Sequence, residues 1–113
     1  MTTHEMKLRK TPFMQMVRGE KTVECRLYDE KRREVALGDE IVFRLMDNPD
    51  ETLTVKVIGL LRYATFGDMF ARNDPQKFGG KSAASLTESL LGYYSLAEQE
   101  KYGVLGIEFE LVR

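Results

Sequence analysis

The sequence predicts an α+β domain, a small β-barrel of five to six strands decorated by helices. Three observations support this: several short stretches alternate apolar and polar residues, helical spacing appears in inserted segments between them, and most connections are short. A chain of 113 residues fits one domain, residues 1–113, and can bury one modest core.

The stretch EMKLRK reads as a short first strand. TPFMQMVRGEK follows as a helix at about 12–18: Thr11 is positioned as N-cap, Pro12 as the first helical residue, and Gly19 as the stop. Phe13, Met16 and Val17, three and four apart, should face the core. Residues 20–28 form the next strand. A polar connection then leads to a Gly38-Asp39 turn and a strand over 40–46, with Ile41, Phe43 and Leu45 on one face. DNPDE is the expected hairpin loop, and 52–63 the return strand.

TFGDMFARN reads as a short helix capped by Thr65, with Asp68 at the third position. DPQKFGGKS is an irregular loop, and Gly79-Gly80 gives it the backbone freedom of a flexible lid. It lacks the G-x-x-x-x-G-K-[ST] spacing of a phosphate-cradling loop. Helices fill 82–101, the second opened by Ser95 with Glu98 three residues on, and 103–111 closes the chain as an alternating strand.

Composition narrows function by exclusion. One histidine and one cysteine, far apart, do not make a zinc site, and no cofactor or metal is implied. A catalytic triad would rest on His4 alone, near the terminus. A single cysteine fits a reducing, cytoplasmic setting. No apolar signal core and no run of about 18 apolar residues is present, so neither secretion nor a membrane span is expected. Nothing in the sequence sets the oligomeric state. The formal net charge is −1, but residues 1–33 hold nine lysines and arginines against five acids, and the remainder eight against thirteen. That basic beginning can meet phosphate, or can simply be a solvated face.

The segment GEKTVECR, 19–26, concentrates the unusual chemistry. On an extended strand Lys21, Val23 and Cys25 share one face, and Thr22, Glu24 and Arg26 the other. Charge on both faces means a solvated edge or a strand lining a polar cavity. For Lys21 and Arg26 to reach one cavity, their opposite parity demands a bulge or strong twist. Glu24 and Arg26 can also form a structural ion pair without any ligand. Cys25, with no histidine near it in sequence, reads as a buried inert thiol.

Gly19-x-Lys21-x-x-Glu24-x-Arg26, Gly38-Asp39 before a strand, Tyr63-x-Thr65-Phe66, and Lys101-Tyr102-Gly103-Val104 into the last strand occur in that order. Together they resemble the ASCH domain family of PUA-like barrels over about residues 6–111. The resemblance implies a PUA-like β-barrel with a cleft beside the first helix, lined by the G-x-K-x-x-E-x-R segment, and an association with RNA. Some members are hydrolases, one branch cleaving the amide of N4-acetylcytidine and another described as ribonuclease. Ligand-binding candidates are Lys21, Glu24, Arg26, Tyr63, Thr65 and Tyr102, with Lys21 and Glu24 catalytic only if the domain is an enzyme. Tyr93 and Tyr94 are further aromatic candidates for base stacking, against the alternative that all four tyrosines are core. The amidohydrolase branch uses a threonine three places after the lysine, where this chain has Glu24; Thr22 should face the other side, and Asp74 and Glu88 are only neighbours in order of that branch's glutamate. The leading expectation is therefore binding of RNA or a nucleotide-like small ligand. The alternatives are a hydrolase and a protein-interaction domain.

Overall fold

The structure is a computed structural model that describes all 113 residues. Its five strands are β1 (Thr3–Leu8), β2 (Val23–Leu27), β3 (Glu40–Leu45), β4 (Asn48–Tyr63) and β5 (Val104–Leu111). The four α-helices are α1 (Lys10–Val17), α2 (Phe66–Ala71), α3 (Ala83–Leu91) and α4 (Leu96–Tyr102). The strands form one curved sheet in the order β1-β3-β4-β5-β2, a half-barrel in which β1 and β3 run parallel and every other pair antiparallel.

Several boundaries depart from the sequence expectation for identifiable reasons. β1 starts at Thr3 because Thr2 and His4 fasten it to Asp39. The Thr2 amide donates to Asp39 Oδ1 at 3.0 Å, and His4 Nε2 lies 2.8 Å from Oδ2. Helix α1 starts at Lys10 with Arg9 as an N-cap that supplies no side-chain bond, so Thr11 is not the cap. The β3–β4 hairpin turns tightly at Met46-Asp47, since Leu45 pairs Asn48, and most of DNPDE belongs to the strand. The Thr65 cap forms as expected, its hydroxyl accepting from the Asp68 amide at 3.2 Å. The Ser95–Glu98 capping box is also present.

Two buried clusters hold the layers together. Inside the half-barrel, Ile41, Phe43, Val55, Val57, Ile107 and Phe109 pack with Phe13 and Met16, so α1 plugs the barrel. Outside it, Val23, Cys25, Leu27 and Val104 meet Phe66, Met69, Phe70 and Phe78. The register between β4 and β5 shifts between Val57 and Gly59, leaving Ile58 exposed. This bulge moves the inward face from Val55 and Val57 to Leu60, while Leu61 packs with the outer cluster; one strand thereby serves both. Gly106 on β5 admits α2 closely: a Cβ there would sit 3.1 Å from Met69 Sδ.

Candidate functional site

Residues 19–22 connect α1 to β2 and aim the polar cluster. Gly19 takes φ +76°, a left-handed conformation that favours glycine. The Lys21 amide donates to the Gln15 carbonyl at 3.2 Å, and the Thr22 amide to the Lys77 carbonyl at 2.9 Å. The strand expected over 20–28 is therefore shorter, because these amides bond α1 and the 75–78 turn instead of a neighbouring strand. Lys21 lies off the strand and turns back toward Glu24. No bulge interrupts β2, so the parity conflict disappears without one. Within β2, Val23, Cys25 and Leu27 enter the outer core, and Glu24 and Arg26 take the other face.

Glu24 is the hub of this cluster. Its Oε1 accepts from Lys21 Nζ at 2.9 Å and from the Cys25 amide at 3.1 Å. Its Oε2 accepts from Arg26 Nε at 3.1 Å and Nη2 at 3.0 Å. A carboxylate offers about four acceptor positions, and all are taken. Burial alone would raise the Glu24 pKa, but the charges and hydrogen bonds of Lys21 and Arg26 outweigh it and hold the carboxyl below its usual value. The group stays ionised at neutral pH and donates no proton.

The unspent donors belong to the cations. Lys21 uses one of its three ammonium donors on Glu24. Arg26 directs Nε and Nη2 to Glu24 and Nη2 also to the Lys7 carbonyl at 2.8 Å, leaving Nη1 without a protein partner. These groups line a cleft of about 690 Å³ between α1, β2 and α3. Lys7 and Arg9 add positive charge to its wall, Tyr93 and Tyr94 add aromatic surface, and Glu24 is its sole carboxylate. Arg9 sits over the Tyr93 ring, 4.3 Å from its centroid, and donates to the Tyr93 hydroxyl. A donor-rich, cationic cleft with aromatic walls suits a ligand that combines acceptor oxygens or negative charge with a planar ring.

The structure brings Lys21, Glu24 and Arg26 together and places the other three candidates elsewhere. Tyr63 accepts from Asn73 Nδ2 at 3.3 Å and packs on the outer cluster, as does Tyr102. Thr65 caps α2. The cleft aromatics are instead Tyr93 and Tyr94, at the turn after α3. Asp74 caps the 75–78 turn by accepting from the Gln76 amide at 3.0 Å, Glu88 is exposed, and neither lines the cleft. The 74–80 segment is anchored rather than a free lid: Phe78 is buried, and Gln15 Nε2 donates to the Gly79 carbonyl at 3.0 Å. The Cys25 thiol is pushed up to about 12, chiefly by burial, which suits an inert core group. There is no cluster of three or more metal-ligating side chains, and no helix is long and apolar enough to cross a membrane.

Sequence reasoning overlooked Gln99. It is buried, its Oε1 accepts from the Phe66 amide at 3.0 Å, and its Nε2 donates to the Tyr94 carbonyl at 3.1 Å. This residue ties α4 to the start of α2 and holds the cleft tyrosine in place. Nothing in a polar helical stretch marks it. Lys7 and Arg9 were visible only as part of the basic excess before residue 34.

A five-stranded half-barrel carrying four helices, with a polar cleft beside the first helix, defines a PUA-like α+β domain. The chain belongs to the ASCH domain family, whose profile matches residues 6–113. Among solved structures, the hypothetical protein PH0355 is similar at 33% identity and a TM-score of 0.87, over 98% of this chain and 100% of its own. Protein PF0455 from Pyrococcus furiosus shares 30% identity with a TM-score of 0.78, over 99% of each chain. The ASCH domain from Lactobacillus crispatus JV V101 shares the fold at 15% identity and a TM-score of 0.60, over 97% of this chain and 79% of its own. No curated protein matches the sequence significantly.

Proposed function

We propose that this domain binds single-stranded RNA or a nucleotide-like small ligand in the cleft, with Lys21 and Arg26 as its contacts and Glu24 as the group that positions both. The observation that carries this reading is the saturation of Glu24. With its acceptor positions filled, the carboxylate fixes two cations at the cleft wall and leaves their remaining donors for a ligand. Acceptor atoms on a phosphate or a base edge satisfy those donors, and Tyr94 or Tyr93 offers a stacking surface. The ASCH assignment supports the same ligand class. Binding ranks above hydrolysis because an ionised, fully bonded Glu24 is poorly suited to acid/base exchange, and no other carboxylate reaches the cleft.

Titration of short single-stranded RNA and of 5′-mononucleotides into wild type, Lys21→Ala and Arg26→Ala tests the proposal. Each substitution should weaken binding by about 1–3 kcal/mol, the range for a charge-assisted contact. Incubation with an RNA ladder and acylated nucleosides runs beside it. Turnover by wild type that Glu24→Gln abolishes with binding intact would make the domain a hydrolase. Neither binding nor turnover across the panel would leave a protein-interaction domain.

A further inference from the structure

A second groove, of about 400 Å³, lies next to the cleft and shares Lys7 and Arg26 with it. We propose that this groove is a second subsite that takes the phosphodiester of an adjoining nucleotide, so that the preferred ligand is an RNA strand rather than an isolated mononucleotide. The inference rests on the reading of the cleft as a nucleotide site.

The groove follows the outer edge of β1. Strand β1 pairs only with β3, so the backbone of alternate residues points away from the sheet. Cationic side chains cover that edge in place of a strand: the Glu5 carbonyl accepts from Lys31 Nζ at 2.9 Å, and the Lys7 carbonyl from Arg26 Nη2 at 2.8 Å. Arg32 and Arg44 complete five cations against one carboxylate, Glu5, which accepts from Arg44 Nε at 2.9 Å. Glu24 and Asp29, just behind the groove wall, pair with Arg26 and Arg32, so five cations face three carboxylates, and the remaining excess of two positive charges is a field for an anion.

Arg32 supplies the specific feature. Asp29 fixes it twice, Oδ1 accepting from the Arg32 amide at 3.1 Å and Oδ2 from Nη1 at 3.2 Å. The opposite edge of the guanidinium, Nε with Nη2, is the edge that grips a phosphate with two parallel bonds. Neither atom has a protein acceptor, and Nε is the one buried side-chain polar atom in the molecule without a partner. Nε is covered in this arrangement and an unsatisfied buried N–H is costly, so a small outward shift of the side chain that lets Nε and Nη2 meet a ligand acceptor together is favoured. An acidic peptide would feel the same charge. Continuity with a cleft that carries Tyr93 and Tyr94 favours a phosphodiester whose neighbouring base enters that cleft.

The test measures affinity for mixed-sequence RNAs of one, two and four nucleotides, each with a 5′-phosphate, and for a short polyglutamate. Wild type should bind the longer RNAs about 10- to 100-fold more tightly than the mononucleotide, as one charge-assisted contact permits. Arg32→Ala should remove that difference, leave mononucleotide affinity unchanged, and reduce the salt slope for RNA by about 0.7. Arg32→Lys, which keeps charge without the fork, should recover only part of it. Lys31→Ala leaves the Arg32–Asp29 contact intact and serves if Arg32→Ala fails to fold. The proposal is overturned if length brings no gain in wild type, if Arg32→Ala weakens mononucleotide and RNA equally, or if polyglutamate matches RNA. Mononucleotide binding without a length effect sinks this inference alone, whereas no binding to any RNA sinks the cleft reading with it.

Discussion

Glu24→Gln removes the charge around which the cleft is assembled. In the native protein the side chains of Lys21, Glu24 and Arg26 are 11%, 6% and 14% exposed, so neither cation can fully recover its lost partner from water. Breaking a buried ion pair by removing one member costs about 3–5 kcal/mol. Glutamine keeps one acceptor oxygen and therefore about half of the four hydrogen bonds, which brings the expected loss to about 2–4 kcal/mol. Unfolding entropies near 2.1 cal/mol/K per residue make 1 kcal/mol worth about 4 °C in a chain this long, so Tm should drop by about 8–16 °C at pH 7. The pH dependence carries an independent signature. Because the Glu24 pKa is lowered on folding, its contribution is complete above the ordinary value of 4.5 and is lost as pH falls through the lower folded value. The gap between wild type and Glu24→Gln should consequently narrow below pH 4.5. Thermal melts followed by circular dichroism from pH 7 to pH 2.5 measure both effects. Adding Lys21→Met to Glu24→Gln should restore part of the loss, since one fewer unpaired charge remains buried. A Glu24→Gln protein within about 0.5 kcal/mol of wild type at pH 7 would refute the hub, because surface substitutions fall within that range. A gap that stays constant down to pH 3 would refute its ionised state.

Asp39 should supply a second acid-sensitive contribution. Hydrogen bonds from His4, Thr2 and Ala36 lower its pKa to about 2, so the stability it adds is full above its ordinary 3.8 and disappears as pH falls through about 2. Asp39→Asn should be less stable than wild type at pH 6 and should lose less stability between pH 4 and pH 2, as acid titration followed by circular dichroism will show. Gly106→Ala should destabilise by about 1–3 kcal/mol in urea unfolding, an overpacking cost, because its Cβ would meet Met69 Sδ at 3.1 Å and Leu61 Cβ at 3.2 Å. An unchanged midpoint would mean that α2 moves away from β5 freely.

Local pattern was enough to place most elements. Alternation over 40–46 and 103–111, the caps at Thr65 and Ser95, and the spacing of Phe13 and Met16 in α1 each act over a few residues and could be read from the chain, whereas Val17, expected on the same inward face, is exposed. The excess of cations before residue 34 was also legible, and six of them, Lys7, Arg9, Lys21, Arg26, Lys31 and Arg32, line the cleft or the adjoining groove. Sequence could name the polar segment 19–26 but misjudged how it reaches one cavity, because Lys21 and Thr22 are held off β2 by bonds from their amides to the Gln15 and Lys77 carbonyls respectively, partners distant from that strand's own pattern. The tyrosines show the same limit. Four were candidates by type, and only packing decided that Tyr63 and Tyr102 support the outer core, that Tyr93 meets the cleft, and that Tyr94 does both, its ring lying 5.6 Å from that of Phe66. Capping and strand alternation depend on neighbours within a few positions, so the chain reveals them. Tertiary packing determines which donors remain unpaired at a shared surface, because beyond Glu24 itself the acceptors that fix this segment, the Lys7, Gln15 and Lys77 carbonyls, lie on β1, α1 and the 75–78 turn.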